Sequence, residues 1–119
     1  MLTLYYTPGS SSFAPHIALH EVGATFEGKP LSIAKGEHLA PEHLALNPAG
    51  KVPTLLIDGR VLIEVAAILF YLAKRYPEAR LMPGCDDIEG QAQAISWMSF
   101  VASGIHPVWS KGMDLALPV

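Results

Sequence analysis

The sequence is poor in the residues that several functions require. It has one cysteine, Cys85, among 119 residues. That excludes an internal disulfide framework and any CxxC redox or zinc motif, and it fits a reducing compartment. Only 16% of the residues are charged, and eight Lys+Arg stand against eleven Asp+Glu, a formal net charge of −3. No basic run occurs, so an electrostatic grip on nucleic acid is not expected. The longest apolar stretch, Val61 to Ala73, carries Glu64 and is shorter than the roughly 20 residues a membrane-crossing helix needs. The opening MLTLYYTPGSSS has no basic leader and breaks at Pro8-Gly9, so it does not read as a signal peptide. A cytoplasmic location is the expectation.

What is present is apolar. Half of the residues are hydrophobic and the mean hydropathy is +0.31, high for a soluble chain of one-domain length. Some of this surface is expected to be covered by another domain or subunit. Leu2 to Tyr6 reads as a buried strand closed by Thr7-Pro8-Gly9. Ser10, Ser11 and Ser12 then stand at the entrance of a helix, where Phe13, Ile17, Leu19 and Val22 share an apolar face and Gly23 stops it. Serine there is a natural N-cap, and Ser12 is the expected one.

Phe26 to Ile33 is a second strand, broken by Gly28 and Pro30, and Ala34 to Gly50 a polar loop with one short helix. Asp58-Gly59 between Thr54–Ile57 and Arg60–Ile63 signals a hairpin. A helix from Glu64 to Tyr76 ends before Pro77. After a linker, a last helix from Ile88 or Glu89 places Ile95, Met98, Ala102 and Ile105 on one face. Gly104 and Pro107 disturb it. The order implies an α/β fold with a mixed sheet, its first crossover parallel and its hairpin antiparallel.

Four stretches resemble one family: Leu4-Tyr5-Tyr6-Thr7-Pro8-Gly9-Ser10-Ser11-Ser12, Ala14-Pro15-His16-Ile17-Ala18-Leu19, Asn47-Pro48-Ala49-Gly50-Lys51-Val52-Pro53-Thr54-Leu55, and Glu64-Val65-Ala66-Ala67-Ile68. In this order they are similar to the N-terminal domain of a cytosolic glutathione transferase, and most similar to the bacterial beta class. Trp97 to His106 resembles the start of that family's helical domain. The resemblance implies a thioredoxin-like β-α-β-(α)-β-β-α domain over 1–78, a linker over 79–88, and the truncated start of an all-α domain over 89–119. It implies conjugation of reduced glutathione to a small electrophile, with glutathione as co-substrate rather than cofactor, and a homodimer. Non-catalytic binding or interaction is the alternative, because the family's second-substrate pocket lies mostly in its helical domain.

The resemblance also distributes roles. A free thiol titrates near 8.5, so the enzyme must favour the thiolate. A hydroxyl at a helix start does this by a charge-assisted hydrogen bond. Ser11, at the place of the beta-class cysteine, is the first candidate, with Ser10 the second and Tyr5 a site neighbour; capping is the competing role for the serines. Val52, before a Pro53 that is cis in the family, would pair with the cysteinyl amide of glutathione. Glu64 would bind its α-amine and the free N–H at Val65 its α-carboxylate; alternatively Glu64 only stabilises the helix. Lys35, and after it Lys51, would meet the glycine carboxylate or remain solvated surface lysines. His106 matches a beta-class histidine near the thiol, or is a helix-surface residue. His16 and His20 lie four apart but lack an acidic partner at metalloprotease spacing, so no metal is expected.

Overall fold

The computed structural model describes residues 1–107. Its elements are β1 (Leu2–Tyr6), α1 (Phe13–Glu21), β2 (Phe26–Pro30), α2 (Pro41–Leu46), β3 (Thr54–Ile57), β4 (Arg60–Ile63), α3 (Val65–Arg75) and α4 (Ile88–Phe100). Single 3-10 turns cover Glu37–Leu39 and Pro77–Ala79, and a π-helical turn, Val101–Ile105, continues α4. The part of the last helical region beyond 107 lies outside the described residues.

The strands form one mixed sheet in the order β2-β1-β3-β4, the thioredoxin-like arrangement. β1 runs parallel to β2 and antiparallel to β3, and β3 runs antiparallel to β4. The β3–β4 turn follows from its two residues. Asp58 and Gly59 both take positive φ, 50° and 81°, as a type I′ turn requires to match the twist of the strands. Asp58 also accepts the N-terminal ammonium of Met1 at 2.6 Å. That hydrogen bond, and then the ammonium's charge, hold its carboxyl below the ordinary aspartate range.

Leu2, Leu4 and Leu55 of the sheet close the core with Ala18 and Leu19 of α1 and Ile68 and Leu72 of α3. β2 is an exposed edge strand and is shorter than expected, ending at Pro30 rather than Ile33, because proline brings no N–H to extend a ladder. A Cβ at Gly28 would lie 3.2 Å from the Tyr6 ring, so a larger residue there would need that ring to give by a few tenths of an ångström.

Two helix faces differ from the sequence reading. α1 buries Pro15, Ala18 and Leu19, while Phe13 and Ile17 remain exposed. Residues 15, 18, 19 and 22 form one stripe, and 13 and 17 the neighbouring one. α1 is apolar on both, so periodicity alone does not choose between them. Ile95 of α4 and Ile105 of the π-helical turn after it are exposed. Met98, of the expected face, lines with Ala94 a groove of about 390 Å³ between α1, α3 and α4, opposite Ala14, Ile17, Leu69 and Phe70.

Candidate functional site

The register of the sheet collects the candidate residues. Tyr5 pairs with Thr54 and Thr54 with Ile63, so the exit of β1, the entry of β3 and the exit of β4 lie side by side. Tyr6 pairs with Pro30, which adds the exit of β2. One end of the sheet therefore carries the turn Thr7–Ser12, the Val52-Pro53 pair, the start of α3 and the segment holding Lys35. The Leu31 N–H donates to the Tyr6 carbonyl at 2.8 Å and the Thr7 hydroxyl to the Leu31 carbonyl at 2.7 Å, tying two of these segments together.

The three serines have different surroundings. Ser12 occupies the N-cap position but does not cap: its φ and ψ are −66° and −10°, whereas a capping side chain needs extended backbone to fold over the first turn. Its buried hydroxyl turns back to Thr7, accepting from the Thr7 N–H at 3.0 Å and lying 3.1 Å from the Thr7 carbonyl. The Ser10 hydroxyl donates to the Thr7 carbonyl at 2.7 Å and lies 2.6 Å from the Ser12 hydroxyl. Ser11, half-buried between them, has neither its hydroxyl nor its N–H bonded to a described residue. It has the one uncommitted hydroxyl of the three.

The Val52-Pro53 peptide bond is cis. Pro53 is buried and Val52 half-buried, and the N–H and C=O of Val52 pair with no described residue. Glu64 is exposed at the N-cap of α3 with φ 78° and ψ 129° and makes no side-chain cap. A non-glycine residue in this region costs about 1–3 kcal/mol and is characteristic of ligand clamps. Val65 and the residues after it present the free N–H groups of a helix start. Lys35 and Lys51 are exposed, and neither ammonium is paired with a carboxylate among the described residues.

Two candidates stand apart from these groups. Tyr5 turns its ring to the α2 side, 5.5 Å from the His43 ring, with the Lys29 ammonium 5.7 Å from its centroid. His106 is exposed beyond the π-helical turn; its backbone N–H donates to the Val101 carbonyl, and its ring hydrogen-bonds to no described residue. His16 and His20 stack at 5.3 Å and pack on Phe26; no group of three metal-binding side chains occurs among the described residues.

Sequence reasoning passed over a buried polar cluster beside Val52. His43 Nε2 lies 2.9 Å from the Lys51 carbonyl, and Asn47 Nδ2 and Thr54 Oγ1 donate to the same oxygen at 3.1 Å. The available signal was a histidine and an asparagine four apart, hence on one face of a short helix.

The fold is that of a thioredoxin-like domain, and comparison places it in a family. The sequence model of the glutathione S-transferase N-terminal domain matches residues 1–74; the chain belongs to the glutathione S-transferase family. A relative from Rhizobium meliloti (strain 1021), named maleylacetoacetate isomerase, is 38% identical and is covered over 50% of its length by 91% of this chain. A glutathione transferase homologue from Sulfitobacter, solved with bound glutathione, superposes with TM-score 0.84 at 40% identity, over 89% of this chain and 50% of that one. The beta-class enzyme of Sphingomonas chungbukensis gives 0.79 at 40% identity, over 88% and 53%. The chain spans about half the length of the curated relatives it matches.

Proposed function

We propose that this chain forms the glutathione-binding part of a glutathione transferase that conjugates reduced glutathione to small electrophiles. The observation that carries the reading is the shared sheet end, where the uncommitted groups complement the tripeptide part by part. The α3 N–H groups and Glu64 take the γ-glutamyl carboxylate and amine. The open backbone of Val52 pairs with the cysteinyl amide as an added strand would. Lys35 or Lys51 meets the glycine carboxylate. Ser11 donates to sulfur, favouring thiolate over thiol in a site next to a helix start. Ser10 supports the turn, and His106 approaches from the helical side. Residues 1–78 are the binding domain, 79–88 the linker and 89–119 the beginning of the helical region, within a cytoplasmic homodimer.

Calorimetric titration with reduced glutathione tests the binding half of this reading. One saturable site lost in Glu64→Ala is the expected result; a folded sample that takes up no heat refutes it. The catalytic half is tested by Ser11→Ala, expected to shift the pH profile of conjugation upward. Conjugation absent from a protein that still binds glutathione would favour a non-catalytic module. The relative named maleylacetoacetate isomerase favours a second activity of the same thiolate. Reversible addition to an activated double bond, rotation and expulsion would isomerise it, and a cis conjugated diacid assayed with catalytic glutathione reads this directly.

A further inference from the structure

We propose that His43 is a positioning residue for the ligand-binding backbone of Val52, acting through the Lys51 carbonyl; this rests on the glutathione-site reading above. His43 is 3% exposed and sits in α2, its ring bounded on one side by Tyr5 at 5.5 Å. A carbonyl oxygen has no proton to give, so at 2.9 Å Nε2 is the donor and carries the hydrogen. In the neutral ring Nδ1 is then a bare lone pair, and it is buried with no partner.

An apolar ring of similar size would fill this space without stranding a polar atom. What the imidazole adds is the hydrogen bond to Lys51. That bond is not needed to satisfy the carbonyl. Asn47 Nδ2 and Thr54 Oγ1 already occupy the two lone pairs at 3.1 Å each. A third donor approaching from another helix position fixes the direction in which the oxygen points. Direction matters here because Lys51 C=O belongs to the peptide unit whose N–H is that of Val52, the group left open at the site. Turning one end of a planar amide turns the other. His43 thereby aims a donor that it does not touch.

The test uses the whole chain with His43→Phe, which keeps the ring and removes the donor, and His43→Gln, which restores a donor at similar reach. Glu64→Ala is the control for the site itself. In the free protein, nitrogen-15 spectra are expected to show the Nε2–H tautomer. The Val52 amide signal should move in His43→Phe and return toward its original place in His43→Gln. In calorimetry the glutathione dissociation constant should rise about three- to tenfold in His43→Phe, the net effect of about one hydrogen bond, and recover in His43→Gln. Thermal midpoints should differ little among the three. Unchanged affinity in His43→Phe, with binding lost in Glu64→Ala, overturns the positioning role and leaves the site reading intact. A loss that glutamine does not restore overturns it too, making His43 a packing residue only. If neither Glu64→Ala nor any His43 variant alters binding, or the parent chain does not bind, the site reading itself fails.

Discussion

The three consecutive serines should respond very differently to the same deletion. Ser12 is 1% exposed, and its hydroxyl accepts from the Thr7 N–H at 3.0 Å and contacts the Ser10 hydroxyl at 2.6 Å. Removing it in Ser12→Ala strands a backbone donor in a half-buried turn, at about 1–3 kcal/mol, and forfeits a second bond worth about 0.5–1.5 kcal/mol. No cap is lost, because Ser12 does not cap α1. The total is about 1.5–4.5 kcal/mol, and at about 4 °C per kcal/mol, between the values for shorter and longer domains, the midpoint should fall by about 6–18 °C. Ser11 has no described partner, so Ser11→Ala should stay within about 0.5 kcal/mol of the parent. Thermal unfolding followed by far-ultraviolet circular dichroism, checked for a single cooperative transition, reads both variants. Equal destabilisation by the two substitutions would refute the division of these hydroxyls into one that builds the turn and one left for a ligand. So would a midpoint that does not move in Ser12→Ala.

Glu64→Gly and Glu64→Ala should both weaken glutathione binding but separate in stability. Only glycine relieves the backbone at φ 78°, and after its greater unfolded-state entropy is subtracted it should melt above alanine by about 1 kcal/mol; coincident melts would remove the claim of strain. Asp58 is held below the ordinary aspartate range by the Met1 ammonium. Its pairing therefore stabilises the fold above the unfolded-state value near 3.9 and is lost as pH falls through the lowered folded value. Because the pair is exposed, salt should weaken it. A carboxyl NMR titration should place Asp58 below an unpaired aspartate and move it upward in high salt; a salt-independent value would contradict the pairing.

Where local chemistry decides the outcome, the sequence was legible. The Asp58-Gly59 turn, the proline after α3 and the β1 run define their elements with no knowledge of the rest. The inward faces of α1 and α4 were not legible in the same way. α1 carries two adjacent apolar stripes, and only the sheet and α3 decide that Pro15, Ala18 and Leu19 turn inward while Phe13 and Ile17 do not. Ser12 shows a second limit, since an N-cap is recognised by residue type but made by backbone conformation. The candidate site was readable as separate motifs, with roles that came from resemblance rather than spacing. What brings Ser11, Val52, Glu64 and Lys35 to one end is the pairing of Tyr5 with Thr54, Thr54 with Ile63 and Tyr6 with Pro30. The His43 and Asn47 contacts to Lys51 depend on how a short helix docks, which no local pattern records.

Thr54 links the core to the site more tightly than the motifs suggest. It is fully buried, sits in the ladder between β1 and β4, and also donates to the Lys51 carbonyl while accepting from Asn47. The backbone of Val52 before β3, which pairs with no described residue, is thus anchored by a residue that cannot slip register without flipping the strand's other side chains to the wrong face. The chemistry that this rigid frame supports is constrained by Ser11. A hydroxyl can donate to a thiolate but cannot form a mixed disulfide with it, and Cys85 lies in the segment before α4, in none of the four segments at the sheet end. Reduction of a glutathione mixed disulfide through a protein-bound intermediate needs a protein thiol within reach of that sulfur. If this sheet end binds glutathione as proposed, its residues fit addition or displacement by the glutathione thiolate, with the protein holding the tripeptide and stabilising charge on sulfur.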